Sequence, residues 1–145
     1  MTNLPLPTEA QEQIAFCEWL DLKHIAYFHV PNSTWTKSIQ VKLRNKRMGV
    51  KKGVPDLFIF IPKDKAKNPF VDNNVFCNLS LADFLAEREK YSGLYKKVVI
   101  EMKRKKGGCV SEDQDYWLRV LAMADFEVAI CKGADEAIEF VERYL

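Results

Sequence analysis

Long apolar runs and paired cysteines are both missing from this 145-residue chain. No apolar run approaches the roughly 20 residues that a membrane-spanning helix needs, so the sequence predicts none. The N-terminal stretch MTNLPLPTEAQEQ lacks a basic segment followed by an apolar one, so no secretory signal is predicted. The cysteines form no C-x-x-C pair, which argues against a zinc ribbon or a thioredoxin-type site; they are Cys17, Cys77, Cys109 and Cys131. We therefore expect a cytoplasmic protein with reduced thiols.

Acidic residues are missing from one long stretch of the chain. Seven basic residues and no acid lie between Lys37 and Gly53, and six basic residues accompany Glu101 alone between Lys96 and Lys106. From Ser111 onward the acids dominate, nine to three. Such segregation predicts a positive face and a polyanionic partner. For the first of these stretches, an ordinary solvated surface is the alternative.

The apolar pattern predicts helices and strands in the order α-β-α-β-β-α-β-α. The runs VPDLFIFIP and KKVVIEMK are apolar almost throughout, which is typical of strands covered on both faces. The stretch between them, about 62–95, is predicted as an insertion that contains a helix in LSLADFLAEREKY. Four strands covered by helices indicate an α/β fold, and the length favours one domain over residues 1–145.

The second predicted helix lies in the basic stretch. Ser33 or Thr34 can cap it, and Trp35, Ile39 and Leu43 form an apolar stripe, with the lysines and arginines on other faces. The stripe predicts packing against the core. Base stacking by the tryptophan is the alternative.

Two charged residues interrupt the second apolar strand. Residues two apart share a face of a strand, so Glu101 and Lys103 point the same way. Burying an unpaired carboxylate costs several kcal/mol, so the glutamate needs a partner. One reading is a structural ion pair with the lysine. The other is a divalent cation shared with Asp56, which follows Pro55 at the start of the previous core strand.

The second reading carries a specific chemistry. If the two strands are neighbours, Asp56 and Glu101 converge at one end of the sheet. Magnesium takes oxygen ligands, usually only one or two of them carboxylates, and keeps positions for water and phosphate. A nearby lysine can orient or deprotonate the attacking water, or balance the charge on a phosphate. The spacing therefore favours phosphodiester hydrolysis.

These residues resemble a known pattern. Pro55-Asp56 followed by Glu101-x-Lys103 resembles the PD-(D/E)xK nuclease motif. The segments TEAQEQ, FHVPN, GVKKGVPDLFIF, VVIEMKRKKGG and SEDQDYWLRVL, in this order, resemble the VRR-NUC branch of that superfamily. The resemblance covers nearly the whole chain outside the insertion. It implies a restriction-endonuclease-like core, with a central mixed four-stranded sheet flanked by helices and the insertion between the second and third strands.

The resemblance also implies roles for individual residues. Asp56 and Glu101 would bind Mg²⁺ or Mn²⁺, with the Met102 carbonyl as a third ligand, and Lys103 would be the catalytic lysine. Gln114 would contact the lysine, the water or a phosphate.

A glutamate of the first helix often completes such a site. Glu12 is the predicted residue and Glu9 the alternative, because helical phase does not decide between them. The residues assigned to the DNA backbone are Lys51, Lys52, Arg104, Lys105 and Lys106.

The function implied is metal-dependent cleavage of DNA, selective for Holliday junctions or other branched structures, by a small homodimeric enzyme. The residues leave other functions open. One is a catalytically inactive nucleic-acid-binding module on the same fold. Another is a restriction-like or RNA-directed nuclease.

Overall fold

A mixed four-stranded sheet forms the centre of the protein. The structure is a computed structural model that describes residues 6–31, 37–64 and 80–145. The strands are β1 (Ala26–His29), β2 (Leu57–Pro62), β3 (Tyr95–Lys103) and β4 (Glu127–Lys132). They lie in the order β1-β2-β3-β4, and only the last pair, β3 with β4, is parallel. The predicted mixed sheet is therefore confirmed.

Five α-helices accompany the sheet in the described residues. They are α1 (Glu9–Leu22), α2 (Ile39–Arg47), α3 (Leu81–Glu87), α4 (Glu112–Met123) and α5 (Ala134–Glu142). A short 3₁₀ helix (Arg88–Tyr91) follows α3. The order agrees with the sequence, and α3 lies between β2 and β3 where the insertion is predicted. In the part of the chain that the structure describes, every helix is too short or too polar to span a bilayer.

The main core lies between one face of the sheet and the helices α1 and α5. Alternate residues of β2 and β3 share this face because Leu57 pairs with Ile100 and Ile59 with Val98. The cluster joins strand and helix residues, namely Phe16, Leu20, Ile25, Leu57, Ile59, Ile61, Val98, Ile100, Met102, Cys131, Ala134, Ala137 and Val141. The apolar strands are thus fully covered on this side.

The opposite face carries the charged residues and is less completely covered. Phe28 stacks on Phe58 with the ring centres 5.0 Å apart, and Phe126 packs edge-on against Phe58 at 5.9 Å. Phe28 nevertheless stays 49% exposed, and Phe60 is half-buried. The prediction of strands covered on both faces is therefore confirmed fully for one face and in part for the other.

Helix α2 does not pack as its apolar pattern predicts. Ser38 caps it, Ile39 is 73% exposed, Leu43 is 52% exposed, and none of its residues is buried. The prediction that this stripe packs on the core is therefore wrong for these two residues. Helical period identifies an apolar face but not the element that covers it. Both candidate caps, Ser33 and Thr34, and the third stripe residue, Trp35, lie outside the described residues.

The described cysteines carry free thiols. Cys131 is buried in the core, Cys17 packs against it, and Cys109 is exposed. Burial raises the pKa of the Cys131 thiol to about 12, which leaves it protonated and unreactive at neutral pH. Cys77 lies outside the described residues.

Candidate active site

The register of β2 and β3 brings two carboxylates to one end of the sheet. Leu57 pairs with Ile100 in antiparallel fashion, so the preceding Asp56 lies beside the following Glu101. The Asp56 carboxylate accepts a hydrogen bond of 2.9 Å from the Met102 N–H. The convergence expected if these strands were neighbours is therefore seen.

The loop before Asp56 is fixed by a close backbone contact. Gly53 has a φ of +74°, a conformation that favours glycine. A Cβ atom at this position would lie 2.5 Å from the Asp113 carbonyl carbon and 2.7 Å from the Gln114 nitrogen. Only glycine allows this loop to pack directly against the first turn of α4.

Three side chains form a hydrogen-bonded cluster on the charged face of β3. The Lys103 ammonium donates to Glu101 Oε1 at 2.9 Å and to Gln114 Oε1 at 3.1 Å. The Gln114 amide nitrogen also donates to Glu101 Oε1. Glu101 is 1% exposed and Lys103 is 8% exposed. The ion pair of the first sequence reading is thus present, but it accounts for only one oxygen of the glutamate.

The other oxygen of Glu101 has no hydrogen-bond partner. Among the described residues, Oε2 is buried and receives no donor. Burial, together with the negative charges of Asp56 and Glu9, raises the pKa of Glu101 to about 7 against the opposing effect of Lys103. One lysine therefore does not compensate the negative charge of this site.

This arrangement fits a divalent cation. An orphaned buried carboxylate oxygen beside a second carboxylate is the donor set that a hard cation prefers. The described residues contain no group of three or more His, Cys, Asp and Glu side chains placed to hold a metal. A cation at this site would therefore also need backbone oxygen and water, which is usual for Mg²⁺. The Met102 carbonyl remains a predicted ligand.

Glu12 has its contacts in a different cluster. Its buried carboxylate accepts from the Ala134 N–H at 2.8 Å, at the N-terminus of α5. Its second oxygen lies 3.2 Å from the Lys105 ammonium, which also lies 3.0 Å from Asp135. The site prediction placed Glu12 together with Glu101. The contacts of the Glu12 carboxylate are instead with Ala134 and Lys105. The first-helix carboxylate whose charge acts on Glu101 is Glu9.

The basic run from Lys96 to Lys106 does not form one surface. Lys96 pairs with Glu127, and the Lys97 ammonium donates to the Ala124 carbonyl at 2.9 Å. Both lysines lie near the start of β3, roughly 20 Å along the strand from Lys103 at 3.3 Å per residue. A count of charges along the sequence therefore overstated the positive patch at the site.

The basic residues assigned to DNA differ in their surroundings. Lys105 is held by two carboxylates, those of Glu12 and Asp135. The other four are exposed and adjoin the Asp56 loop or the end of β3; they are Lys51, Lys52, Arg104 and Lys106. These four remain available to phosphates.

Two glycines near the cluster were not assigned to it from the sequence. Gly53 seats the Asp56 loop against α4, and a Cβ atom on Gly108 would lie 2.9 Å from the Lys103 Cβ. Their position directly beside the P-D and E-x-K segments was the available signal, but a glycine beside a motif does not reveal what it packs against.

Comparison with known proteins decides the family. A model of the VRR-NUC domain matches residues 7–135. The chain belongs to the VRR-NUC family. A solved structure described as a VRR_NUC domain protein is 19% identical to this chain, with a TM-score of 0.59. The match covers 98% of this chain and 91% of the chain in that structure. At that identity the likeness shows the fold. Curated proteins give no match.

Membership of the VRR-NUC family gives the coarse function. The domain is of the nuclease type, and such a domain acts on nucleic acid. The paired carboxylates and the lysine lie together at one end of its sheet, within the matched residues.

Proposed function

We propose that this protein is a divalent-cation-dependent DNA endonuclease, and that its site is built from Asp56, Glu101, Lys103 and Gln114. The observation that carries the proposal is the buried, unpartnered Oε2 of Glu101 beside a second carboxylate. A buried carboxylate in this state is costly unless a positive group joins it. Magnesium or manganese is the proposed partner.

Each residue of the chain has a separate task in this proposal. Asp56 and Glu101 hold the cation, which when bound lowers the pKa of water and offsets charge on the phosphate. Lys103 places a positive charge beside Glu101 for the attacked phosphate. Gln114 bridges these two side chains and fixes their relative position.

The proposed substrate is branched DNA, with a Holliday junction as the leading candidate. Exposed lysines and arginines contact phosphates, which position a nucleic acid without reading its sequence. The described part of one chain, residues 6–31, 37–64 and 80–145, carries one such cluster, whereas symmetric cutting of a four-way junction requires two. A twofold homodimer would supply them.

A cleavage panel tests the proposal. The substrates are a four-way junction, a flap, nicked and linear duplexes, single-stranded DNA and RNA, each with Mg²⁺ and with Mn²⁺. We expect Asp56→Asn, Glu101→Gln and Lys103→Ala each to lower cleavage by on the order of a hundredfold or more. Asp125→Asn, at an exposed aspartate beyond α4, is the matched control and should cleave normally.

The outcomes separate the alternatives. Paired symmetric nicks confined to the junction support both the branched substrate and the dimer. Salt-dependent binding without cleavage of any substrate would favour a module that binds and does no chemistry. Full activity of the folded Asp56→Asn variant, or of the wild type in excess chelator, contradicts the proposed site.

A further inference from the structure

Two helices of this protein begin with the same capping box. Thr8 and Gln11 form it at α1, and Ser111 and Gln114 form it at α4. In each box the N-cap hydroxyl accepts from the backbone N–H three residues on, and the glutamine side chain reaches back to the N-cap N–H. The pair is a built-in comparison, because one box lies at the proposed site.

The box at α1 closes on itself. Gln11 Oε1 accepts from the Thr8 N–H at 2.9 Å and from the Thr8 hydroxyl at 3.1 Å. An amide oxygen has two lone pairs, so both acceptor positions are used within the box. This box does no more than cap its helix.

The box at α4 opens onto the proposed site. Gln114 Oε1 accepts from the Ser111 N–H at 2.9 Å, but its second donor is the Lys103 ammonium at 3.1 Å. Two donors at one end of the amide identify that end as the oxygen. The amide nitrogen must then point the other way, and it donates to Glu101.

A backbone contact supports the same turn. The place where Gly53 would carry a Cβ is filled by Asp113 and by the Gln114 nitrogen. The loop that leads to Asp56 therefore rests on the turn that carries Gln114. Movement of that turn would change the distance between the carboxylates of Asp56 and Glu101.

We propose that Ser111 is a positioning residue of the nuclease site, acting through Gln114. The capping box holds the glutamine so that Glu101 Oε1 is engaged by Gln114 and Lys103, and Oε2 is left for the cation. This inference rests on the proposed function for its consequence in cleavage. Its geometric part, the hold of Ser111 on the Gln114 side chain, does not.

The test compares Ser111→Ala with Thr8→Ala. Each variant removes one N-cap oxygen, so we expect a similar fall in melting temperature, about 3 °C, for both. Only Ser111→Ala should also lower kcat, by about tenfold, because it removes the hydroxyl that accepts from the Gln114 backbone N–H at 3.3 Å and so loosens the turn that carries the Gln114 side chain. Ser111→Thr keeps the hydroxyl and should restore the rate.

A double-substitution cycle tests whether Ser111 acts through Gln114. The effects of Ser111→Ala and Gln114→Ala on kcat should be strongly non-additive, whereas those of Thr8→Ala and Gln114→Ala should add. Equal kcat for Ser111→Ala and Thr8→Ala, or additive effects in the first cycle, overturns the inference.

A second readout needs no activity. In the wild type, the Gln114 side-chain amide should give a distinct, slowly exchanging pair of nuclear magnetic resonance signals. Ser111→Ala should move and broaden them, and Thr8→Ala should not. Unchanged Gln114 amide signals in Ser111→Ala overturn the inference, whether or not the wild type cleaves DNA. Absence of cleavage by the wild type counts against the proposed function instead.

Glycine substitutions provide an independent route to the same turn. Gly53→Ala and Gly49→Ala both place a side chain at positive φ, but only the first meets neighbouring atoms within 4 Å. We expect the first variant alone to shift the Gln114 amide signals. A shift of equal size in both variants contradicts the coupling of the Asp56 loop to the capping box.

Discussion

Two buried glutamates of this protein each pair with a lysine. Glu101 lies 2.9 Å from Lys103, and Glu12 lies 3.2 Å from Lys105. The side-chain exposures of the two glutamates are 2% and 7%. Neither burial nor a lysine partner therefore separates the proposed catalytic carboxylate, Glu101, from the structural one, Glu12.

The second oxygen of each carboxylate makes the difference. That of Glu12 accepts from the Ala134 N–H at the N-terminus of α5, where the helix dipole favours a negative charge. That of Glu101 is buried without a donor, and Asp56 adds a second negative charge nearby. Glu12 Oε1 is likewise buried without a hydrogen bond, but the Lys105 ammonium lies 3.2 Å from it, so each oxygen of Glu12 has a positively polarised neighbour. In the other pair the lysine and Gln114 both contact Glu101 Oε1, and the adjacent charge of Asp56 calls for a further positive group.

The pH dependence of the free energy of unfolding should distinguish the Glu101–Lys103 pair from the Glu12–Lys105 pair most strongly. Since burial raises the pKa of Glu101 from 4.5 to about 7, the folded state keeps a proton that the unfolded state releases. This contribution is fully present below pH 4.5 and is lost as pH rises through about 7, a change of about 3 kcal/mol.

Urea unfolding in excess chelator checks this prediction. The free energy of unfolding of the wild type should fall with pH relative to that of Glu101→Gln, which cannot lose the proton. Parallel curves for the wild type and Glu101→Gln across this range contradict the raised pKa.

Removing the charge of Glu12 should cost stability rather than activity. Glu12→Gln weakens the hydrogen bond to the start of α5 and leaves Lys105 with Asp135 alone. Because the lysine is partly exposed and can be hydrated, we expect a loss of about 2 kcal/mol rather than that of a fully buried pair. Chemical denaturation at neutral pH measures it, and a loss under about 0.5 kcal/mol would refute a structural role.

Added divalent cation should distinguish the pairs by a smaller amount. At a concentration about ten times Kd, Mg²⁺ or Mn²⁺ should stabilise the wild type by about 1.4 kcal/mol, because it binds the folded state alone. Glu12→Gln should retain this gain, while Asp56→Asn and Glu101→Gln should lose it. Thermal unfolding above pH 7 measures the shift, and a gain that survives in Glu101→Gln points to binding elsewhere.

The sequence predicts that Asp56, Glu101 and Lys103 converge at one end of the sheet, for a physical reason. Strand alternation places Glu101 and Lys103 on one face, and a proline at a strand start marks where Asp56 enters the sheet. The pairing of β2 with β3 then brings these residues together. Local geometry and one neighbour relation suffice for this part of the site.

Helix-borne features are harder to predict, because they depend on what packs against each helix. Glu12 and Glu9 lie three residues apart, and helical phase places both near the same side of α1. Only the position of α5 decides that Glu12 contacts Ala134. The predicted packing of Ile39 and Leu43 against the core fails for the same reason, and both side chains are exposed.

Cleavage of DNA by Glu101→Gln and Glu12→Gln, side by side in Mg²⁺, tests the central claim most directly. Both variants remove one buried charge beside a lysine, and both should be assayed well below their melting temperatures. We expect a loss on the order of a hundredfold or more for Glu101→Gln and less than about threefold for Glu12→Gln. Equal losses in the two variants would contradict the distinction between a catalytic and a structural pair.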